Sequence, residues 1–266
     1  MYSILEHYLS TNHILMIGMI VTFILTFFLL EHPFSFLPSD QGRAFAVNGS
    51  LSKGKLRGVG FIFVLCFLIS SVLFLPLDVE YVIYGILLFA MMISGYLDDA
   101  SKTPWNEYKK GLIDLVISVV AVLTYMNFNS TTICFGADEI VIPKALFLIL
   151  GVILIWVSVN VTNCTDGVDG LCASLCSVTL LAFGVLFAPI LQKYAMANFL
   201  FLSVLFAYLY FNSSPSSMLM GDAGSRALGF YIAVIALKST HPFIYLLLAA
   251  VMIVDGGIGL VKIALK

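Results

Sequence analysis

The chain alternates between long apolar runs and short polar segments, and this pattern predicts its helices. Nine apolar segments can be marked, at 14–30, 59–77, 79–97, 111–126, 144–160, 170–189, 195–212, 225–238 and 242–260. Runs of roughly 20 apolar residues are long enough to cross a bilayer, where helices satisfy their own backbone hydrogen bonds. We therefore expect an all-α, polytopic integral membrane bundle with nine spans. The eighth segment is short, so it is either buried among its neighbours or extended by residues of the preceding loop.

Composition strengthens this interpretation. Hydrophobic residues make up 61% of the 266 residues and charged residues only 11%, and the mean hydropathy is +1.06. These values exclude an ordinary soluble domain. The net charge of −2 says little about partners. The five cysteines show neither disulfide nor zinc-site spacing, and we interpret them as small buried residues.

The distribution of Lys and Arg predicts the orientation in the membrane. Ten of the 13 basic residues fall on one side, which the positive-inside rule makes cytoplasmic. These ten are Arg43, Lys53, Lys55, Arg57, Lys102, Lys109, Lys110, Arg226, Lys262 and Lys266. The N-terminus is then outside, and 14–30 is a first span rather than a signal peptide. On the same outer side, 131–135 and 139–142 flank a Gly-Ala-Asp turn, which predicts a small periplasmic β-hairpin.

The polar residues of 160–171 follow a regular spacing. Asn160, Asn163, Asp166 and Asp169 recur every three residues, so neighbouring groups share one side wherever the segment is helical. Carboxylates placed so close need a cation or a strong set of donors. The alternative is an ordinary Asp/Asn-Gly turn between helices.

Two further acidic motifs fall at the predicted cytoplasmic ends of helices. Asp98 and Asp99 end the third segment at the negative end of its dipole, where they are poor bare charges and good metal ligands. Asp222 lies between two glycines before the eighth helix, whose free N–H groups suit an anion such as a pyrophosphate. The alternatives are a solvated helix end for the pair and a helix cap for Asp222. Asp114, in the fourth segment, faces either a pore or the interface.

Basic residues accompany these acids. Lys53, Lys55 and Arg57 suit a phosphate-rich ligand, and ordinary positive-inside charge explains them equally well. Lys109 and Lys110, at the start of the next helix, are expected to neutralise a phosphate, unless one of them only follows the positive-inside rule. Acids that hold Mg²⁺, together with Lys and Arg, are typical of chemistry on phosphates. Because this face borders the lipid, we expect one substrate to be a lipid.

The acidic motifs resemble those of the polyprenyl-phosphate N-acetylhexosamine-1-phosphate transferases. In chain order they are Asp98-Asp99, Asn160-x-x-Asn163-x-x-Asp166-Gly-x-Asp169-Gly-Leu and Gly221-Asp222-x-Gly-Ser225. Within that superfamily, 163–170 is most similar to the phospho-N-acetylmuramoyl-pentapeptide transferases. Relatives that transfer N-acetylglucosamine phosphate usually have Met-Ile where Cys164-Thr165 stand. The loop 37–46 is similar to that of clostridial members, and the resemblance covers essentially the whole chain.

The resemblance implies a multi-pass enzyme of the bacterial inner (plasma) membrane with a cytoplasmic active site. It implies transfer of phospho-N-acetylmuramoyl-pentapeptide from UDP-MurNAc-pentapeptide to undecaprenyl phosphate, which yields lipid I and UMP in peptidoglycan synthesis. Mg²⁺ is the implied cofactor. The implied partners also include membrane lipid, a second copy in a homodimer and nucleoside antibiotics, but no nucleic acid.

The resemblance also assigns residues. Asp98, Asp99 and Asp222 are the implied catalytic acids, with Asp222 and Asp99 as metal ligands. The implied substrate-binding residues are Asn160, Asn163, Asp166, Gly167, Asp169, Leu219, Lys53, Lys55, Lys109 and Lys110. We expect direct attack by the lipid phosphate, with Asp98 as base or phosphate orienter, rather than an aspartyl-phosphate route.

The sequence departs from the family pattern at three places. Leu219 stands where the family usually has a Phe thought to stack on uracil, and a Leu side chain packs on a base without stacking. Residues 56–60 replace a frequent Thr-Pro-Thr-Met-Gly-Gly stretch, so either Lys53 or Lys55 matches the family's loop lysine. The family continues beyond the position of Lys266 with a His-rich loop and a last helix, which makes about ten spans. We interpret 1–266 as a single transmembrane transferase domain that lacks them.

Two alternatives stay open. One is a transferase of the same superfamily that uses UDP-GlcNAc. The other is a cation transporter that uses the membrane-embedded acids. Transporters place such acids near the bilayer midplane, whereas these acids lie at segment ends.

Overall fold

The computed structural model describes residues 1–32, 34–40, 42, 52–101, 103, 105–136 and 138–264, without the side chains of 260 and 262–264. Two strands, β1 (Thr132–Phe135) and β2 (Asp138–Val141), pair antiparallel. The helices are α1 (Tyr2–Leu5), α2 (Thr11–Glu31), α3 (Gly60–Phe74), α4 (Val79–Asp99), α5 (Glu107–Phe128), α6 (Lys144–Thr165), α7 (Leu171–Leu186), α8 (Ala188–Leu191), α9 (Lys193–Asn212), α10 (Gly221–Lys238), α11 (Pro242–Leu248) and α12 (Ala250–Ala264). Arg43, Lys102, Lys266 and much of the loop 37–46 lie outside the described residues, as does the side chain of Lys262.

Within the described ranges, five helices are long and apolar enough to cross a membrane: α2, α4, α5, α6 and α9. A sixth span forms if α11 and α12, which meet at 75°, are taken together. Helices α3 and α7 have 15 and 16 residues. At about 1.5 Å per residue they are shorter than the ~30 Å hydrocarbon core. The helical membrane protein and its small hairpin are thus confirmed, but length and composition support five or six spans rather than all nine.

Polar side chains cap the N-termini of α4 and α5, the two helices that the segment 100–106 connects. Asp78 precedes α4 and accepts a hydrogen bond from the Tyr81 N–H at 2.9 Å. Asn106 precedes α5 and accepts from the Tyr108 N–H at 3.0 Å. Such capping satisfies N–H groups that lack partners within the helix. The short connection brings the end of α4, with Asp98, next to the beginning of α5.

Helix α10 is the centre of the bundle. Its residues from Gly221 to Leu237 are all buried, and it packs mainly against α4 and α6. At Gly95 of α4 the two backbones touch, because a Cβ there would overlap the carbonyl oxygen of Asp222. At Gly229 a Cβ would lie 2.6 Å from the carbonyl oxygen of Ser158 on α6. Since its neighbours shield α10 from lipid, this helix tolerates charged residues that a lipid-facing helix would exclude.

A buried ion pair joins α4 and α10 at the end away from Gly221. Lys238 Nζ lies 2.9 Å from Glu80 Oε2 and donates to Asn129 Oδ1 at 2.7 Å. The Tyr84 hydroxyl donates to Glu80 Oε1 at 3.2 Å. Because α4 and α10 run antiparallel, this pair fixes their far ends while Gly95 fixes their near ends.

The close approach at Gly95 predicts an asymmetry between two glycines of the same helix. Gly95→Ala should lower the free energy of unfolding by about 1–3 kcal/mol or more, because α4 and α10 must separate to admit the methyl group. Gly85→Ala meets only Leu68 Cδ2, at 3.8 Å, and should be neutral or stabilising because alanine favours helix. Thermal unfolding of the two variants in detergent measures this difference. Equal melting temperatures would contradict the backbone contact.

Candidate functional site

Arg57 joins three acids from distant parts of the chain. Its Nε donates to Asp99 Oδ1 at 2.7 Å, its Nη2 to Asp222 Oδ1 at 3.3 Å and its Nη1 to Asp40 Oδ1 at 3.3 Å. These acids lie on α4, on α10 and in the first loop. One guanidinium, with its rigid set of donors, therefore holds three carboxylates at one place.

Backbone contacts position Arg57 between these acids. Its neighbour Leu56 forms an antiparallel bridge with Ser39 and a parallel bridge with Met218. The Leu219 N–H donates to the Leu56 carbonyl oxygen at 2.8 Å, and the Arg57 N–H donates to Pro38 at 2.8 Å. The first loop is thus paired with the segment before α10, and this pairing directs the Arg57 side chain toward both acidic helix ends.

Lys110 supplies the second cation. Its Nζ lies 2.6 Å from Asp98 Oδ2 and 3.3 Å from Asp222 Oδ2. The other oxygen of Asp98 accepts from the Trp105 N–H at 2.7 Å. Lys109 points elsewhere, since its Nζ lies 3.3 Å above the Trp105 ring. We call Asp40, Asp98, Asp99 and Asp222, with Arg57 and Lys110, the charged cluster.

The start of α10 is shaped to hold Asp99. The Asp99 side chain is fully buried, and its Oδ2 accepts from the Ala223 N–H at 3.0 Å. Gly221 has a φ of +67°, which favours glycine, and a Cβ there would overlap the Asp99 carboxylate. A helix N-terminus also favours negative charge. The Gly-Asp-Ala-Gly motif therefore admits a second carboxylate beside its own Asp222.

The charged cluster has more acids than bases. Burial alone would lower the pKa of Arg57, but Asp99 and Asp222 raise it above its usual range, so Arg57 stays a cation. Four carboxylates face two cations, which leaves two formal negative charges in excess. A further cation or a strong donor would therefore be stabilised here.

The donor set fits Mg²⁺ that is bound together with a phosphate. In the part of the chain that the structure describes, no group of three or more His, Cys, Asp or Glu side chains is arranged as a ready metal site. Mg²⁺ is commonly held by one or two carboxylates and completed by substrate phosphates and water. Asp99 and Asp222 lie together at the start of α10 and supply this number of carboxylates, and their four oxygens accept hydrogen bonds from Arg57, Lys110 and Ala223.

A second polar group links 160–171 to the loop before α10. Asp169 Oδ2 accepts from the Ser216 N–H at 3.0 Å and lies 3.6 Å from Lys55 Nζ, which also donates to Ser216 Oγ at 2.8 Å. Burial alone would raise the pKa of Asp169, but the hydrogen bonds from Ser216 and the charge of Lys55 lower it. Asn163 Nδ2 donates to Ser225 Oγ at 2.9 Å. Asn163, on α6, and Asp169, in the turn between α6 and α7, thus contact the segment around the start of α10 from another side.

The remaining predicted residues occupy less central positions. Asn160 donates to the Trp156 carbonyl oxygen of its own helix. Asp166 caps the end of α6, and Gly167 follows it in the turn to α7. Lys53 is exposed, whereas Lys55 is half-buried in the contact with Asp169.

Leu219 is buried in this arrangement. It is 3% exposed, and its N–H and carbonyl groups hydrogen-bond to Leu56 and Val59. Its contact with a nucleobase stays a prediction.

The sequence interpretation missed Arg57 and Asp40 as members of the site. In the sequence Arg57 is one of three basic residues in a loop, and Asp40 belongs to none of the acidic motifs. A signal was present, because Arg57 lies directly before Gly58 and the buried helix α3, where an unpaired charge is costly. Only the folded pairing of 38–40, 52–57 and 216–219 identifies its partners.

Comparisons with known proteins agree with this geometry. Residues 81–240 match the model of glycosyl transferase family 4. A phospho-N-acetylmuramoyl-pentapeptide-transferase of Treponema pallidum (strain Nichols) is 36% identical over 271 residues, covering 94% of this chain and 75% of that protein. The proteins of the same name from Wolinella succinogenes and Halalkalibacterium halodurans are 30% and 28% identical, covering 79% and 92% of this chain and 68% and 81% of theirs. These matches confirm the resemblance drawn from the motifs.

The contacts of Arg57 predict a loss of stability when its charge is removed. Arg57→Leu should lower the free energy of unfolding by about 1–3 kcal/mol, because the fully buried Asp99 loses its cation. Lys53→Leu, the same change in charge two residues before Lys55, should alter stability by less than about 0.5 kcal/mol since Lys53 is exposed. Thermal unfolding in detergent compares the two. A neutral Arg57→Leu would show that the charged cluster does not need this side chain.

Proposed function

Since this chain belongs to glycosyl transferase family 4, we propose that it transfers phospho-N-acetylmuramoyl-pentapeptide from UDP-MurNAc-pentapeptide to undecaprenyl phosphate. The products are UMP and lipid I, which is an intermediate of peptidoglycan synthesis. The observation that carries this proposal is the charged cluster, which gathers acids and bases at helix ends of a membrane bundle. A water-soluble nucleotide and a membrane-borne phosphate can meet at such a place. The names of the relatives favour this sugar over the UDP-GlcNAc alternative.

The same proposal orients the protein. The end that holds the charged cluster faces the cytoplasm and the N-terminus lies outside, in keeping with the Lys and Arg distribution. Helices α3, α7 and α10 also lie within the membrane as part of one transferase domain, because they pack against the longer helices of the bundle. The homodimer and the binding of nucleoside antibiotics stay predictions.

In this proposal Asp99 and Asp222 are the residues that would hold Mg²⁺ together with the pyrophosphate of the nucleotide. Bound there, the ion would neutralise charge on the phosphates. Arg57 contacts both carboxylates, so it holds them close together. Asn163, Asp166, Gly167, Asp169 and Lys55 bind the nucleotide from the α6–α7 side.

The reaction at the lipid phosphate uses Lys110 and Asp98. Lys110 Nζ lies between Asp98 and Asp222, so it can bind an incoming phosphate oxygen without leaving the charged cluster. That oxygen attacks the β-phosphorus, and the bond from this phosphorus to the UMP oxygen breaks. Because a lipid phosphate is largely ionised near neutral pH, Asp98 orients it or accepts its remaining proton. Lys109 has no part in this step, since it stacks on Trp105.

The adjacent lysines give a matched test of this arrangement. Lys110→Gln should reduce the rate of lipid I formation by roughly 10²-fold or more, because the phosphate loses its cation. Lys109→Gln, the same change one residue earlier, should stay within a few-fold of wild type. Lipid I formation by purified variants in detergent measures both rates. Equal losses at the two positions would refute the assignment.

The proposed metal and substrate can be tested on the wild-type enzyme and on Asp222→Asn. Chelation should abolish transfer, and added Mg²⁺ should restore it. Asp222→Asn should abolish transfer while the protein still unfolds cooperatively, because the substitution removes one charge and keeps the shape. With UDP-GlcNAc in place of UDP-MurNAc-pentapeptide, little product is expected. Equal turnover of the two nucleotides would favour the alternative transferase instead.

A further inference from the structure

A second buried ion pair lies directly beside the charged cluster. Arg226 Nη2 of α10 lies 2.5 Å from Asp114 Oδ1 of α5, and each residue is 2% exposed. One helical turn earlier on the same two helices, Lys110 contacts Asp222 at 3.3 Å. Helices α5 and α10 run in the same direction, so the two contacts form consecutive rungs between them. The charges alternate, since each helix carries one acid and one base.

The Asp114–Arg226 pair is expected to contribute little to the free energy of folding. The Nε and Nη1 groups of Arg226 have no hydrogen-bond partner among the described residues. A buried guanidinium with unused donors keeps much of its desolvation cost. Replacing such a pair by apolar side chains is often neutral or stabilising, and the best-attested use of buried polar pairs is to specify register.

Apolar packing does little to set α5 against α10. Helix α5 packs chiefly against α4 and α6 and meets α10 over only a short stretch. A small rotation or slide of α5 would therefore meet little resistance at α10. Such a movement would carry Lys110 Nζ away from Asp98 and Asp222.

We propose that Asp114 and Arg226 are positioning residues that set the register of α5 on α10 and so hold Lys110 between Asp98 and Asp222. They act through Lys110, and the substrates contact the neighbouring Lys110–Asp222 pair rather than Asp114 or Arg226. The catalytic part of this inference rests on the proposed function. The register itself does not, so it can be tested without turnover.

The first test measures the contact between Lys110 and Asp222 through stability. A double-mutant cycle of Lys110→Gln and Asp222→Asn gives their coupling from melting temperatures in detergent. The cycle is run in the wild-type chain and in the apolar double variant Asp114→Leu/Arg226→Met. The apolar variant should melt no lower than wild type, yet the coupling should be lost in it. An unchanged coupling would overturn the proposal whether or not the protein is a transferase.

The second test measures lipid I formation, with wild-type turnover as the check on the proposed function. Asp114→Leu/Arg226→Met should lower kcat by about 10²-fold with KM for the nucleotide nearly unchanged, because Lys110 is displaced rather than removed. Arg226→Lys, which keeps the charge, should recover much of the loss. In the Lys110→Gln background, the apolar pair should cause little further loss.

The outcomes separate the two ideas. A stable apolar variant with wild-type kcat would show that the pair only fills space, which overturns the inference and leaves the proposed function intact. If the wild type is inactive but the coupling is lost in the apolar variant, the proposed function is overturned and the inference about register stands. If Asp114→Leu/Arg226→Met fails to fold, Arg226→Lys and Asp114→Glu carry the same comparison of coupling and kcat.

Discussion

The structure depends on the neutralisation of buried carboxylates by two cations that come from other segments. Asp98, Asp99 and Asp222 lie on two helices that touch backbone to backbone at Gly95. Without Arg57 and Lys110 these like charges would repel one another in a poorly solvated place. The first loop and helix α5 are therefore attached to α4 and α10 by charge, and the charged cluster exists only in the folded chain.

Much of the fold follows from the sequence because lipid restricts what an exposed helix can contain. The nine apolar segments coincide with helices, and the strands at 132–135 and 138–141 pair antiparallel as expected for a hairpin. The number of spans was less predictable, since α3 and α7 are apolar but short, whereas α10 is buried by its neighbours and its composition is free of the membrane constraint. The 75° bend between α11 and α12 occurs within one apolar run and left no polar signal.

The acids of the site were accessible to sequence reasoning because bare charges at helix ends need an explanation. Their basic partners were not accessible, because the candidates come in pairs of neighbouring lysines. Within each pair the residue type is the same, and only the direction of the side chain in the fold distinguishes Lys55 from Lys53 and Lys110 from Lys109. Trp105 draws Lys109 away, and Ser216 with Asp169 selects Lys55. The burial of Leu219 was not predictable either, since nothing in its sequence neighbours indicates it.

The contact of Glu80 with Lys238 has a consequence for how the protein accommodates different ligands. Because α4 and α10 are joined at both ends, the separation of their carboxylates is set before any ligand arrives. Variation among acceptor lipids or attached peptides then has to be absorbed outside this pair of helices. Sequence changes that alter the range of substrates should accordingly accumulate in the connecting segments. A substitution at the contact between α4 and α10 should require a compensating substitution in the other helix.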